Sequence, residues 1–236
     1  RREIAALHEI FDVRDIKTDV RITATILCPG NNEVTAQSLT DHMDTLVENI
    51  VAFVKEYGLD GVDFDWEYPD QSAQWRVYGQ FIKKIDQAFD REFGDSVTIG
   101  VALASWGVGF SRSAMRAIDE VHVMAYDLFD DDGCHSTFMT GAYNPMRYFN
   151  GLQYPREQFN LGVPYYGRPV DGGAYWPSWS QVANEPDAYW SNAFPGNYTD
   201  ENGNPVVLDD YYNCPSMVAD KTAYAVSLGI GGMMLF

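Results

Sequence analysis

Residues 59–69 have the sequence LDGVDFDWEYP, in which three carboxylic acids alternate with three large apolar side chains. The acids are Asp63, Asp65 and Glu67, and the apolar residues are Val62, Phe64 and Trp66. Because successive side chains of a β-strand point to opposite faces, this alternation predicts a strand with all three acids on one face. Helical patterns precede and follow the stretch, so it is predicted to be one strand of an α/β fold.

The acids of this predicted strand are close enough to affect one another. Neighbouring acids on one face would lie roughly 7 Å apart. Since like charges at that spacing repel, at least one acid is expected to hold a proton near neutral pH, and a shared proton would link two of them. A protonated carboxylic acid backed by a second carboxylate is what general acid catalysis needs.

Two other interpretations of the acidic strand compete with catalysis. A solvated surface strand is one, although Asp is depleted in strands and such faces usually mix in Thr, Ser, Lys and Gln. A divalent metal site is the other, because the Asp63-x-Asp65 spacing suits cations that prefer oxygen ligands. No His-x-x-x-His pair or similar ligand cluster lies nearby in the sequence, so we predict neither a metal nor a cofactor.

Composition limits the partners of the chain. At 236 residues with 46% hydrophobic residues it can bury the core of one large α/β domain. The net charge of −18 argues against nucleic acid and against anionic membrane surfaces, and no apolar run approaches the length of a membrane span. The 15 Tyr and 6 Trp suit stacking against sugar rings, although most of them are expected in the core.

Strand-like and helical segments alternate along the chain. The strands are predicted at residues 21–27, 59–67, 96–103, 120–126, 160–166 and 230–236, and the helices at 39–57, 71–93, 112–118, 144–150 and 215–227. This alternation predicts parallel βαβ units, in a doubly wound sheet or a (β/α)₈ barrel. No G-x-G-x-x-G motif follows the first strand, and the chemically reactive residues lie at strand ends, so the barrel is favoured.

The predicted strands number six, whereas a barrel of this type has eight. We therefore expect a TIM barrel that lacks its first one or two strands in this chain, with residues 3–11 forming a helix. Residues 1–236 are predicted to form a single catalytic domain. Residues 169–212 show no clear periodicity, so they are expected to form a long loop or a reduced insertion.

Four segments form an ordered series along the chain: DGVDFDWEYP at 60–69, MAYD at 124–127, GVPYYGR at 162–168 and GIGGMMLF at 229–236. In sequence, order and spacing they resemble the motifs of glycoside hydrolase family 18, the chitinases and their relatives. The sequence departs from that family's pattern in four places. ILCPGNN at 26–32 replaces the usual S-x-G-G, and Phe236 stands where a Trp is usual. The family's extra α+β domain has little room between Arg168 and Gly229, and the first two strands are expected to be missing.

The resemblance implies a role for each of these residues. Glu67 would protonate the glycosidic oxygen, while the substrate's own 2-acetamido oxygen acts as the nucleophile. Asp65 would orient the acetamido N–H and share a proton with Asp63, and Tyr126 would bind the acetamido oxygen. Sugar contacts are implied for Met124, Asp127, Tyr166, Arg168 and Phe236. Structural roles stay open for two of these residues, Tyr126 in the core and Arg168 in a surface ion pair.

The resemblance also implies a substrate and a location. The first hypothesis is a secreted, endo-acting chitinase that hydrolyses β-1,4 bonds of chitin or chito-oligosaccharides with retention of configuration. The alternatives are an endo-β-N-acetylglucosaminidase that acts on N-glycans and a chitinase-like lectin that binds sugar without cutting it. The WEYP and MAYD sequences favour chitinase, and the presence of Glu67 disfavours the lectin.

Overall fold

The computed structural model describes residues 20–28, 30–170, 176–183, 187–199 and 202–236. The chain forms two compact units, one reaching up to Ala102 together with Val108–Glu120, and the other made of Leu103–Gly107 and Val121–Phe236. The helix predicted at residues 3–11 lies outside the described residues, as does the place of any strand before it. The prediction that the first strands are missing stays a prediction.

The first unit is built on three parallel strands. They are β1 (Thr23–Leu27), β2 (Gly61–Asp65) and β3 (Thr98–Leu103), and β2 lies between the other two. The register places Asp63 between Thr25 of β1 and Gly100 of β3. The acidic stretch is therefore an interior strand, which excludes the solvated surface strand as an interpretation.

Three helices connect these strands: α1 (Asn32–Tyr57), α2 (Ser72–Phe93) and α3 (Arg112–Met115), with a 3₁₀ turn at Gly94–Ser96. α1 begins at Asn32 rather than at residue 39 because Asn31 caps it, its side chain accepting the Val34 N–H at 3.1 Å. Backbone dihedrals at His42 are non-helical and interrupt α1. Gly58 ends the helix in the left-handed conformation, as expected from the sequence.

The apolar face of β2 packs against α2. Val62, Phe64 and Trp66 are all at most 3% exposed. The Phe64 ring meets Phe81 edge-on at 5.1 Å, and the Trp66 ring meets Tyr78 at 5.2 Å. The predicted separation of acids from apolar groups along this strand is confirmed, and burial of the apolar row fixes which way the acids point.

The second unit has its own parallel strands. They are β4 (Glu120–Val123), β5 (Phe159–Val163) and β9 (Gly232–Leu235), with β5 in the middle. The helices are α4 (Asn144–Leu152), which follows a π-helical turn at Met139–Tyr143, and α6 (Pro215–Leu228), with a 3₁₀ turn at Arg156–Gln158. Parallel strands alternating with helices confirm the predicted α/β class.

An antiparallel sheet lies between β5 and α6 in the chain. It consists of β6 (Arg168–Pro169), β7 (Ala193–Thr199) and β8 (Pro205–Tyr211), with β8 in the middle, and a short helix α5 (Trp179–Val182) accompanies it. Val182, Tyr212 and Cys214 form its small buried cluster. Secondary structure thus occupies much of residues 169–212, where the sequence showed no periodicity. The single-domain boundaries of 1–236 stay a prediction.

Several strands end earlier than predicted. The acidic strand ends at Asp65, so Glu67 lies beyond it, and the strand predicted at 120–126 ends at Val123. The strand predicted at 160–166 ends at Val163. Glu67, Tyr126 and Tyr166 therefore lie on the segments that leave the carboxyl ends of these strands, whereas Asp63 and Asp65 lie within β2.

Candidate active site

The three acids differ in their exposure. Asp63 is 9% exposed, Asp65 is partly buried, and Glu67 is exposed just after the strand. Their register partners in β3 are small, Gly100 beside Asp63 and Ala102 beside Asp65. Paired residues of a parallel sheet share a face, so β3 places neither a bulky nor a basic side chain beside these carboxylates. β3 therefore provides no side chain that would separate or neutralise the charges of Asp63 and Asp65.

The titration of Asp65 is strongly perturbed. Burial, followed by the charges of Glu67 and Asp63, raises the pKa of Asp65 to about 6. Asp65 therefore holds a proton at mildly acidic pH. Its Oδ1 atom is buried and accepts no hydrogen bond from any residue that the structure describes.

Asn32 makes hydrogen bonds to the residues on both sides of Glu67. The indole Nε1 of Trp66 donates to Oδ1 of Asn32 at 2.7 Å, and Nδ2 of Asn32 donates to the carbonyl oxygen of Tyr68 at 2.7 Å. The peptide bond between Glu67 and Tyr68 is cis. The exposed Glu67 thus lies between two residues that are hydrogen-bonded to Asn32. Asn32 was not among the residues predicted from the sequence.

Cys28 lies next to the same strand end. Its backbone N–H donates to the carbonyl oxygen of Asp65 at 2.9 Å. Burial and the nearby Asp65 charge raise the pKa of the Cys28 thiol to about 11. The thiol is protonated at neutral pH, so it is a poor nucleophile there.

Aromatic side chains from three strand ends meet in the second unit. The Tyr126 ring, after β4, stacks on Phe236, after β9, with centroids 4.7 Å apart and an interplanar angle of 5°. Phe236 also meets Tyr166, after β5, edge-on at 6.2 Å. Phe236 is 58% exposed, so a large aromatic face is open at this place. Met124 lies buried directly after β4.

Asp127 and Arg168 form an ion pair within this aromatic group. Nη1 of Arg168 donates to Oδ1 of Asp127 at 3.2 Å, and the guanidinium lies 4.4 Å from the centre of the Trp176 ring. The Arg168 side chain is only 13% exposed, which distinguishes it from a solvated surface partner. Burial raises the pKa of Asp127, but contact with His135 and the Arg168 charge outweigh it, so the net pKa lies below its usual range.

Two residues of this cluster were missed by the sequence analysis. His135 is fully buried, and its Nε2 accepts the backbone N–H of Asp127 at 2.9 Å. Burial lowers the pKa of His135, which keeps the ring neutral. Trp176 stacks on Tyr166 at 4.9 Å. Neither residue belongs to a motif, and a single His or Trp between strands carries no sequence signal of its own.

The predicted residues thus fall into two groups. The acids Asp63, Asp65 and Glu67 lie together in the first unit, whereas Met124, Tyr126, Asp127, Tyr166, Arg168 and Phe236 belong to the second. Across the part of the chain that the structure describes, no group of three or more His, Cys, Asp or Glu could hold a metal ion. Of the described helices, none has both the length and the apolar character needed to cross a bilayer.

Comparison with known proteins gives a consistent picture. A chitinase from Bacteroides thetaiotaomicron shares the fold with a TM-score of 0.77 at 19% identity, over 100% of this chain and 74% of that one. A GH18 chitinase from Cycas revoluta in complex with (GlcNAc)3 has a TM-score of 0.74 at 20% identity, over 95% of this chain and 78% of that one. The (β/α)₈-barrel fold class predicted from the sequence is thereby confirmed.

Sequence relatives agree with the structural ones. A "Probable endochitinase" of Caenorhabditis elegans is 23% identical over 80% of this chain and 38% of that protein. An "Endochitinase" of Manduca sexta is 29% identical over 52% of this chain and 27% of that protein. The chain thus spans well under two thirds of the length of these relatives. The profile of "Glycosyl hydrolases family 18" matches residues 8–236, and the chain therefore belongs to glycoside hydrolase family 18.

Proposed function

We propose that the chain is a chitinase that hydrolyses β-1,4 bonds between N-acetylglucosamine units, with Glu67 as the general acid. The observation that carries the proposal is the acidic strand end. There, an exposed Glu67 follows Asp65, whose pKa is raised to about 6, on a segment held by Asn32. Family membership gives the reaction class, and this arrangement supplies a proton donor with a supporting carboxyl pair.

The first step of the proposed reaction breaks the glycosidic bond. Glu67 gives its proton to the leaving oxygen while the substrate's 2-acetamido oxygen bonds to the anomeric carbon, forming an oxazolinium-like intermediate. Asp65 accepts the acetamido N–H and shares a proton with the buried Asp63. Water then attacks the anomeric carbon, breaks its bond to the acetamido oxygen and gives a proton back to Glu67, so the configuration is retained.

The second group of residues would hold the sugar. Tyr126 is assigned to the acetamido oxygen, and the exposed Phe236 ring stacked on it offers a face for the C–H side of a pyranose. Asp127, ionised and paired with Arg168, would accept hydrogen bonds from sugar hydroxyls. Tyr166 and Met124 complete the contacts assigned to the substrate. No cofactor takes part in this reaction.

The substrate is tested by comparing two acetamido sugars. The proposal predicts that chitotetraose is cleaved and that a high-mannose glycoprotein releases no glycan. The reverse outcome would favour the endo-β-N-acetylglucosaminidase, and binding of chitotetraose without any cleavage would favour the lectin. Proton NMR of the first product should show the β-anomer, since an α-anomer excludes the retaining route.

We further propose that the protein works outside the cell on chitin or on oligosaccharides of N-acetylglucosamine. Its net charge of −18 is compatible with a neutral polysaccharide and unfavourable for nucleic acid or anionic lipid. Co-sedimentation with chitin, with cellulose as the matched control polymer, tests this partner. Equal retention on both polymers would contradict it.

A further inference from the structure

The side chain of Asn32 contacts the residues on both sides of Glu67. Its Oδ1 accepts the indole N–H of Trp66 at 2.7 Å, and its Nδ2 donates to the carbonyl oxygen of Tyr68 at 2.7 Å. We propose that Asn32 is a positioning residue, whose amide fixes the segment from Trp66 to Tyr68 and so sets where the Glu67 carboxyl lies. This inference rests on the proposed function, in which Glu67 donates the proton.

The segment that carries Glu67 needs such support. The ladder of β2 ends at Asp65, so Glu67 is beyond the last sheet residue. On one side, Trp66 is 3% exposed and packs on Tyr78, which gives Asn32 a fixed donor. On the other side, the Tyr68 carbonyl oxygen needs a hydrogen-bond donor, which the Asn32 Nδ2 provides. A primary amide on a short side chain accepts and donates at once, which neither Ala nor Asp can do.

Asn32 is itself held in place. It is the first residue of α1, whose N-terminus is capped by Asn31. Oδ1 of Asn31 accepts the Val34 N–H at 3.1 Å, and its carbonyl oxygen accepts the Thr35 N–H at 2.9 Å. The Asn31 cap stabilises the helix end, whereas the orientation of the Asn32 amide is set by its own hydrogen bonds to Trp66 and Tyr68. Asn31 is also a natural control, because it stabilises the same helix end without contacting Trp66 or Tyr68.

A leaving-group comparison separates positioning of an acid from general stability. Hydrolysis of chitotetraose needs a proton on a poor leaving group, whereas 4-nitrophenyl chitobioside releases a phenolate that needs little protonation. Asn32→Ala should lower kcat for chitotetraose by roughly ten- to a hundredfold, with KM within about twofold, because small displacements of a reacting group are costly. On the aryl glycoside the loss should be several times smaller.

Two further variants complete the test. Asn31→Ala should lower Tm at least as much as Asn32→Ala, yet leave kcat on both substrates within about twofold. Trp66→Phe removes the indole donor together with part of the buried ring that packs on Tyr78, so it should also lower Tm. Its loss on chitotetraose should be smaller than that of Asn32→Ala but equally selective, and the selectivity tests the role of Asn32 if Asn32→Ala does not fold. Equal losses on both substrates, or a loss matched by Asn31→Ala, overturn the role of Asn32.

Failure of this inference is distinguishable from failure of the proposed function. If the wild-type chain cleaves chitotetraose and Glu67→Gln does not, while Asn32→Ala and Trp66→Phe match the wild type, only the positioning role falls. If Glu67→Gln matches the wild type, the proposed proton donor falls and the positioning role falls with it.

Discussion

The pKa of Asp65 is raised by three separate effects. Burial, Glu67 and Asp63 all raise its pKa, from 3.8 to about 6. Between these two pH values the folded protein binds more protons at Asp65 than the unfolded chain does, so stability falls as the pH rises through this window. Above pH 6 the ionised Asp65 destabilises the fold.

Replacement of Asp65 should therefore stabilise the protein at neutral pH. Asp65→Asn is expected to raise the free energy of unfolding at pH 7 by on the order of 1 kcal/mol, after allowance for solvent screening at this partly exposed group. At pH 3.5 the gain should disappear, since Asp65 is then protonated in both states. Guanidinium titrations at the two pH values measure the difference. The exposed Asp95→Asn should show no such gain, and a gain that is equal at both pH values would contradict the assignment.

Lys221 shows the opposite linkage. It is fully buried, its Nζ donates to the carbonyl oxygen of Ser136 at 2.8 Å and to Oδ1 of Asn213 at 2.6 Å, and burial lowers its pKa from 10.5 to about 7. Between pH 7 and 10.5 the unfolded chain binds more protons at Lys221 than the folded protein does, so its contribution to stability rises with pH in this window.

Removal of this amine should matter most in alkaline solution. Lys221→Met leaves Oδ1 of Asn213 without its donor and leaves the Ser136 carbonyl with the Asn213 amide alone, at a cost of roughly 1–3 kcal/mol at pH 9.5. At pH 6.5 the loss should be smaller, because the wild type then also pays for burying a charge. Urea unfolding at both pH values tests this. Lys83→Met serves as control and should show no pH-dependent difference; a larger loss at pH 6.5 for Lys221→Met would contradict the account.

At the scale of elements, the close packing of β5 against β4 positions Tyr126. A Cβ atom on Gly162 would lie 2.4 Å from the carbonyl oxygen of Val123 and 2.9 Å from Cε1 of Tyr126. Gly162→Ala should therefore displace the Tyr126 ring and destabilise the protein by about 1–3 kcal/mol. Gly151 in α4 has open space around it, so Gly151→Ala should be neutral or stabilising by up to about 1 kcal/mol. Thermal unfolding of both variants tests the contrast, and equal Tm values would contradict it.

Elements were predicted well wherever an apolar row faces a packing partner. The row of Val62, Phe64 and Trp66 determined the face of β2, and Gly58 marked the end of α1. The start of α1 at Asn32 was missed because its first turns are mostly polar and exposed. The antiparallel sheet of β6, β7 and β8 was missed because it surrounds only a small cluster, which leaves little periodicity in the sequence.

The candidate site was predictable only as far as its motifs extend. Glu67 and Asp127 lie in motifs, but His135, Trp176 and Asn32 act through contacts that depend on how separate segments approach one another. Asn32 reaches Tyr68 across 36 positions of the chain, and His135 reaches Asp127 across a loop. Sequence alone therefore names the candidate residues that lie in motifs and omits the residues that contact them.

For the whole molecule, the net charge of −18 has a measurable consequence. Self-repulsion among surface carboxylates opposes the compact state and is screened by salt. Raising NaCl from about 10 mM to about 300 mM should therefore raise Tm by a few degrees, because the Debye length falls from about 30 Å to below 8 Å. KCl should act equally, since screening depends on ionic strength. A Tm that falls with salt would show that attractive ion pairs dominate instead.

The fold of the whole molecule followed from motif order more than from composition. Four segments in sequence indicated a barrel of family 18, and the family match over residues 8–236 agrees. The alternation of strands and helices alone is compatible with both a doubly wound sheet and a (β/α)₈ barrel. The number of strands does not decide between the two folds either, because residues 1–19, where a first strand is in question, lie outside the described residues.

Turnover of chitotetraose by Glu67→Gln, measured with binding of the same sugar, tests the central claim most directly. Gln keeps the size of Glu67 but has no acidic proton to give. The variant should bind chitotetraose with nearly wild-type affinity by calorimetry and lose turnover by roughly a thousandfold or more. Turnover equal to that of the wild type would show that Glu67 is not the proton donor.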